Sequence, residues 1–125
     1  MKVLIVDDSS VTRKIIRAVT DALELEMCEA GDGTEAFEVL AERYGEIGLV
    51  LLDWNMPGMS GFDVLSGMKA NSKYKDIPVM MVTTEGQQGS IVAAIRAGAV
   101  NYLTKPFTAE ELETKIRECI GLEGF

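Results

Sequence analysis

The sequence contains no histidine. That absence removes the Ser-His and Cys-His nucleophile pairs and the usual zinc ligand. Cysteine is scarce too. Cys28 and Cys119 stand far apart without CxxC spacing, and read as reduced thiols packed like small apolar side chains rather than a disulfide framework. Basic residues are outnumbered, 12 against 20 acidic, and the net charge of −8 argues against a nucleic-acid backbone or an anionic membrane as partner. No apolar run approaches a membrane span, and the opening MKVLIV is too short for a secretory leader. The expected location is cytoplasmic.

What is present is a regular alternation. At 125 residues and 47% hydrophobic, the chain has the size and composition of one globular domain over 1–125. Apolar strand candidates are Lys2–Asp7, Leu25–Ala30, Gly48–Asp53, Ile77–Thr83 and Val100–Leu103. Segments with helical spacing separate them. Val11, Ile15, Ile16, Val19 and Leu23 share one face, as do Phe37, Leu40, Ala41 and Tyr44. Phe62, Leu65 and Met68 mark a third helix, weakened by Gly67, and Ile91 to Ala97 a fourth. In the last, Thr108 and Glu111 form a capping-box pattern ahead of Leu112, Ile116 and Ile120. Strands joined by single helices call for right-handed crossovers, hence a (βα)₅ doubly wound parallel sheet in the α/β class.

In such sheets ligands bind outside the carboxyl ends of the strands. Those ends carry Asp7-Asp8, Asp53, Thr83-Thr84 and Lys105, whereas the second strand ends in Ala30-Gly31. Taken singly, each residue has an ordinary reading. Asp8 leads into a helix capped by Ser9 or Ser10, Asp53 precedes a Pro57-Gly58 turn, Thr83 is a β-branched strand end and Lys105 a solvated lysine. Together the ordinary readings fail on electrostatics. Two carboxylates ~4 Å apart repel by roughly 4 kcal/mol at an effective dielectric near 20, so three cannot all stay ionised beside one lysine. A hard divalent cation, Mg²⁺, resolves the conflict and brings the site to zero net charge. Asp53 is then a carboxylate presented for chemistry, and carboxylates can accept a phosphoryl group.

Asp7-Asp8, the run Asp53-Trp54-Asn55-Met56-Pro57-Gly58-Met59-Ser60-Gly61, Thr83, and Tyr102-Leu103-Thr104-Lys105-Pro106-Phe107 resemble the receiver domain of bacterial two-component response regulators. The resemblance spans the whole chain and is strongest to stand-alone chemotaxis regulators. It implies the flavodoxin-like strand order 2-1-3-4-5. It also implies Asp53 as phosphoacceptor, with Asp7 and Asp8 holding Mg²⁺ directly or through water and Asn55 lending a backbone carbonyl. Thr83 and Lys105 match residues that contact the phosphoryl oxygens, and Tyr102 the aromatic switch. The Lys105–Pro106 bond is expected cis by the same resemblance, although only about 5–6% of X–Pro bonds in folded proteins are.

The partners so implied are a histidine kinase as phosphodonor, a protein target such as a flagellar motor switch component, and a phosphatase. The domain is expected to act as a monomer, with no nucleic acid or membrane partner, and to catalyse only its own phosphorylation and dephosphorylation. With nothing after Phe125, no attached output domain is expected. The expected contact face comprises Tyr102, Ser90 to Arg96 and the region of Lys115. Glu85-Gly86-Gln87-Gln88-Gly89-Ser90 departs from the chemotaxis pattern, with two glycines and no lysine, so a looser turn is expected there. By the same resemblance, Asn55 and Glu85 match positions at which receivers partly tune the lifetime of the phosphorylated state. Three other readings rank lower. One is a single-domain phosphorelay intermediate. Another is a phosphohydrolase of the haloacid dehalogenase type, whose DxDx[TV] nucleophile motif Asp7-Asp8-Ser9-Ser10 does not match. The third is a phosphorylation-independent binding module, which would usually have lost one of the site residues.

Overall fold

A computed structural model describes residues 1–84 and 88–121. Five strands and five helices alternate: β1 (Lys2–Val6), α1 (Ser10–Ala22), β2 (Glu26–Ala30), α2 (Gly33–Arg43), β3 (Ile47–Asp53), α3 (Gly61–Lys69), β4 (Val79–Thr84), α4 (Gln88–Arg96), β5 (Asn101–Lys105) and α5 (Ala109–Ile120). All strand pairs are parallel, in the order β2-β1-β3-β4-β5. That is the expected doubly wound sheet, with β3 at its centre.

The consecutive apolar runs are explained by burial on both faces. Leu4, Val6, Val50, Leu52, Val79 and Met81 turn toward α2, α3 and α4, where they meet Ala36, Leu40, Val64, Leu65, Met68 and Ala94. Val3, Ile5, Leu49, Leu51, Met80, Val82 and Leu103 turn the other way, onto Ile16 and Val19 of α1 and Leu112 and Ile116 of α5. Each fully buried aliphatic of this kind contributes about 1.5–3 kcal/mol of transfer free energy. Met80 and Met81 are core residues on opposite faces, as their adjacency in a strand requires.

Two helix faces differ from expectation. In α1, Ile16 and Val19 are buried, but Val11 and Ile15 are 66% and 47% exposed. The buried side of the helix is centred on Ile16, Val19 and Thr20, and Ile15 and Val11 are rotated to its edge. In α2, Ala36 and Leu40 face the core while Ala41 is exposed and Tyr44 lies in a 3₁₀ turn beyond the helix, its ring tilted 59° against that of Tyr74 at 5.8 Å. Gly67 has a packing reason, since a Cβ there would lie 2.8 Å from the Phe37 ring. Helix α5 is capped as its sequence indicates, with reciprocal Thr108 and Glu111 hydrogen bonds. Strand limits shift by up to two residues: β4 starts at Val79 and β5 runs on to Lys105. Glu85, Gly86 and Gln87, where the looser turn and one lifetime position were expected, lie outside the described residues.

Candidate functional site

Strand β3 ends on Asp53, whose backbone partner on β4 is Val82. The chain then turns back on itself. Trp54 donates its N–H to Val82 at 3.1 Å, and the Trp54 carbonyl accepts from Gly61 at 2.9 Å. Gly61 is required by this close approach, because any Cβ there would overlap the Asp53 carbonyl. Within the turn, the Asn55 N–H donates to Asp53 Oδ1 at 3.4 Å.

Asp7 follows directly after β1. Its N–H extends the pairing with β2 by donating to the Ala30 carbonyl at 3.1 Å, and its Oδ1 accepts from the Ser9 N–H at 2.8 Å. Ser9 in turn caps α1, its hydroxyl accepting from the Thr12 N–H. Asp8 stands exposed between them. Carboxylate oxygens of Asp7, Asp8 and Asp53 all lie within 4.8 Å of one another. Lys105, the last residue of β5, brings its Nζ to 3.1 Å from Asp7 Oδ2 and 3.7 Å from Asp53 Oδ1. The Lys105–Pro106 bond is cis, as expected.

The rim therefore concentrates negative charge, with two of its three carboxylates shielded from solvent. Asp7 and Asp53 are buried. Burial, and next the neighbouring Asp7 charge, push the Asp53 carboxyl up to about 6, against the opposing pull of Lys105 and the Asn55 N–H. One lysine does not neutralise three carboxylates. An all-oxygen donor set with excess negative charge is the chemistry that suits a hard divalent cation, so Asp7, Asp8 and Asp53 fit such an ion. Thr83 sits one residue beyond Val82 on β4, wholly buried, and its Oγ1 has no hydrogen-bond partner among the described residues. A buried hydroxyl left without a partner costs about 1–3 kcal/mol, so Thr83 Oγ1 is a donor open to a hydrogen bond at this rim.

Comparison with known proteins agrees with this geometry. The response regulator receiver domain family matches residues 3–117. The chain belongs to that family. It is 39% identical over 122 residues to the chemotaxis protein CheY homolog of Campylobacter jejuni, covering 97% of this chain and 93% of the relative. It is 43% identical over 119 residues to the chemotaxis protein CheY of Pseudomonas aeruginosa, covering 94% of both. Among solved structures, a response regulator receiver domain protein from Clostridium thermocellum superposes with a TM-score of 0.88 at 30% identity, covering 98% of this chain and 95% of that one.

In this receiver the remaining expected residues lie on β5 and in the turn after β3. Tyr102 on β5 pairs with Met81 of β4 and is 38% exposed. Its ring carries the Lys115 ammonium 5.0 Å from the centroid, and Asn101 Oδ1 accepts from both the Tyr102 N–H and Lys115 Nζ, at 2.9 and 3.2 Å. Asn55 is placed in the turn beside Asp53. Two residues escaped sequence reading. Arg13 of α1 donates to the Asp7 carbonyl at 2.6 Å and pairs with Glu29 of β2 at 3.1 Å. The signal that would have found them is Arg13 and Arg17 on one helical face, opposite an acidic residue in a neighbouring strand.

Proposed function

We propose that this receiver is a phosphorylation-activated switch that takes a phosphoryl group from a phosphohistidine of a partner kinase onto Asp53. The observation that carries the proposal is the meeting of three carboxylates and one lysine on a single rim. Ionised Asp53 supplies the attacking oxygen. A P–O bond to its Oδ forms as the donor's P–N bond breaks, and the leaving imidazole takes a proton. A carboxyl near 6 is mostly ionised at pH 7, while its burial leaves it poorly solvated and so more reactive. Lys105 is placed to bind the incoming oxygens, and the Thr83 hydroxyl to donate to one of them. Asp7, Asp8 and Asp53, with the Asn55 carbonyl, would hold Mg²⁺. When bound, the ion neutralises charge on the phosphoryl oxygens. The domain catalyses only its own phosphorylation and dephosphorylation.

Output then passes by protein contact, in a cytoplasmic chemotaxis or motility pathway. The names of the curated relatives support the pathway, and a surface supports the contact. Val92, Ile95, Val100 and Tyr102 expose 51, 45, 54 and 38% of their area along α4 and β5, where a switch protein can dock. Thr83 moving toward the phosphoryl group would vacate space that Tyr102 can fill, and the α4–β5–α5 face would change with it. The direct test is incubation with acetyl phosphate and Mg²⁺, followed by intact-mass and peptide analysis. One phosphoryl group on Asp53 is expected, lost in Asp53→Asn and in EDTA. Modification of Asp7 or Asp8 instead overturns the assignment of roles.

A further inference from the structure

The acidic pair has a second cationic neighbour besides Lys105. Strand β2 ends at Ala30, and the next carbonyl along β1's path, that of Asp7, accepts from Arg13 Nη1 at 2.6 Å. This carbonyl belongs to the peptide that joins Asp7 to Asp8, so its orientation sets where both carboxylates emerge. Arg13 is itself held. Its Nε donates to Glu29 Oε1 at 3.1 Å, and the other oxygen of Glu29 accepts from Arg17 Nη2 at 2.6 Å. Hydrogen bonding from Arg17, followed by its charge and that of Arg13, lowers the Glu29 carboxyl below its ordinary value, so the anchor is ionised. Of these groups the Arg13 guanidinium is the one that touches the Asp7–Asp8 backbone, and it is positive. Charge alone would repel a cation from this place. What a planar fork offers instead is direction, since it can grip a carbonyl and a carboxylate at once in a fixed geometry.

We propose that Arg13 is a positioning residue for the cation site, clamping the Asp7–Asp8 peptide to β2 so that both carboxylates face one divalent ion. This rests on the reading that Asp7 and Asp8 hold Mg²⁺. Partners that orient a metal ligand typically change affinity by about 10–100-fold when lost. The clamp here acts on backbone, one step further from the ion, so the lower end of that range applies.

Positioning and charge predict opposite signs, which makes the test decisive. Mg²⁺ is titrated against Trp54 fluorescence, in parallel with thermal melts in EDTA, for wild type, Asp8→Ala, Arg13→Gln and Arg13→Lys. The expected result is half-saturation at about tenfold higher Mg²⁺ in Arg13→Gln, an intermediate shift in Arg13→Lys, and Asp53 phosphorylation that recovers at saturating Mg²⁺. A lysine keeps the charge but cannot span both acceptors, so its intermediate value reports lost geometry. Should Arg13→Gln fail to fold, the Arg13→Lys shift decides alone. Tighter Mg²⁺ binding in Arg13→Gln, or a lowered melting point with unchanged half-saturation in both variants, overturns the proposal. A wild type without any Mg²⁺ response, or an Asp8→Ala variant that matches wild type, would instead overturn the cation reading on which the proposal rests.

Discussion

Removing the charge of Asp53 should stabilise the cation-free protein at neutral pH. In the unfolded chain its carboxyl ionises at the ordinary value of 3.8, and in the fold at about 6. Between these values the folded state holds a proton that the unfolded chain has released, so stability falls as pH rises through the window, and the full cost is present above it. The distance between those two values corresponds to about 3 kcal/mol. Asp53→Asn keeps an oxygen acceptor for the Asn55 N–H and abolishes the charge. Urea melts in EDTA should therefore show a gain of about 1–3 kcal/mol at pH 7.5, shrinking toward zero near pH 4. Mg²⁺ should narrow the gap by stabilising the wild type. Equal stability at pH 7.5 would mean that the carboxylate is better solvated than its burial implies. At this scale the sequence disclosed Asp7, Asp8, Asp53, Thr83 and Lys105, because each stands at or next to a strand end. Arg13 and Glu29 stayed hidden because an arginine on a helix and a glutamate in a strand both look like surface. Their pairing spans 16 residues and exists only once β2 lies beside β1.

Among the elements, the turn from β3 into α3 is the least tolerant of change. A Cβ at Gly61 would overlap the Asp53 carbonyl and approach the Trp54 Cα to 2.8 Å, both of them backbone. Gly45 offers the contrast, with nothing within 4 Å of a Cβ. Gly61→Ala should cost about 1–3 kcal/mol or more by forcing that turn open, and should slow phosphorylation of Asp53. Gly45→Ala should stay within about 0.5 kcal/mol of wild type, as an exposed substitution. Chemical denaturation of the two variants side by side checks this. The existence and order of the elements were legible because strand runs and helical spacing alternate without interruption. The apolar faces of α1 and α2 were not fully legible. Periodicity reports which residues share a side, but not how wide a strip of it the neighbouring layer covers, so Val11, Ile15 and Ala41 were placed on faces whose buried strip is narrower. Nor could Gly67 be read as more than a weak helix position, since its reason is a phenylalanine on a different helix.

For the whole molecule the question is how a change at Asp53 reaches a partner. A phosphoryl group brings added charge and strong acceptor oxygens, and the buried Thr83 Oγ1 is a donor with no partner among the described residues. In the proposed switch, satisfying that hydroxyl would draw Thr83 toward the rim, and Tyr102 is the bulky side chain on the adjacent strand that would follow. In the structure its ring is held partly outside by Lys115, which Asn101 secures in place. A partly exposed cation–π contact is worth about 0.5–1 kcal/mol, which favours the outward ring by roughly two- to fivefold. On the proposed switch, an inward ring position would stand in equilibrium with this one, with phosphorylation and Lys115 biasing it in opposite directions. Lys115→Met should therefore move the unphosphorylated protein part of the way toward the active state, and Tyr102→Ala should leave Asp53 phosphorylation nearly intact while weakening phosphorylation-dependent partner binding. Amide exchange with and without beryllofluoride is the measurement. Protection should change first at Asp53 and Thr83, extend to Tyr102 and to α4 from Ser90 to Arg96, and shift in part without any ligand in Lys115→Met. Changes confined to the Asp53 rim would show that the strand does not carry the signal, and an Lys115→Met profile identical to wild type would show that the cation does not restrain the ring.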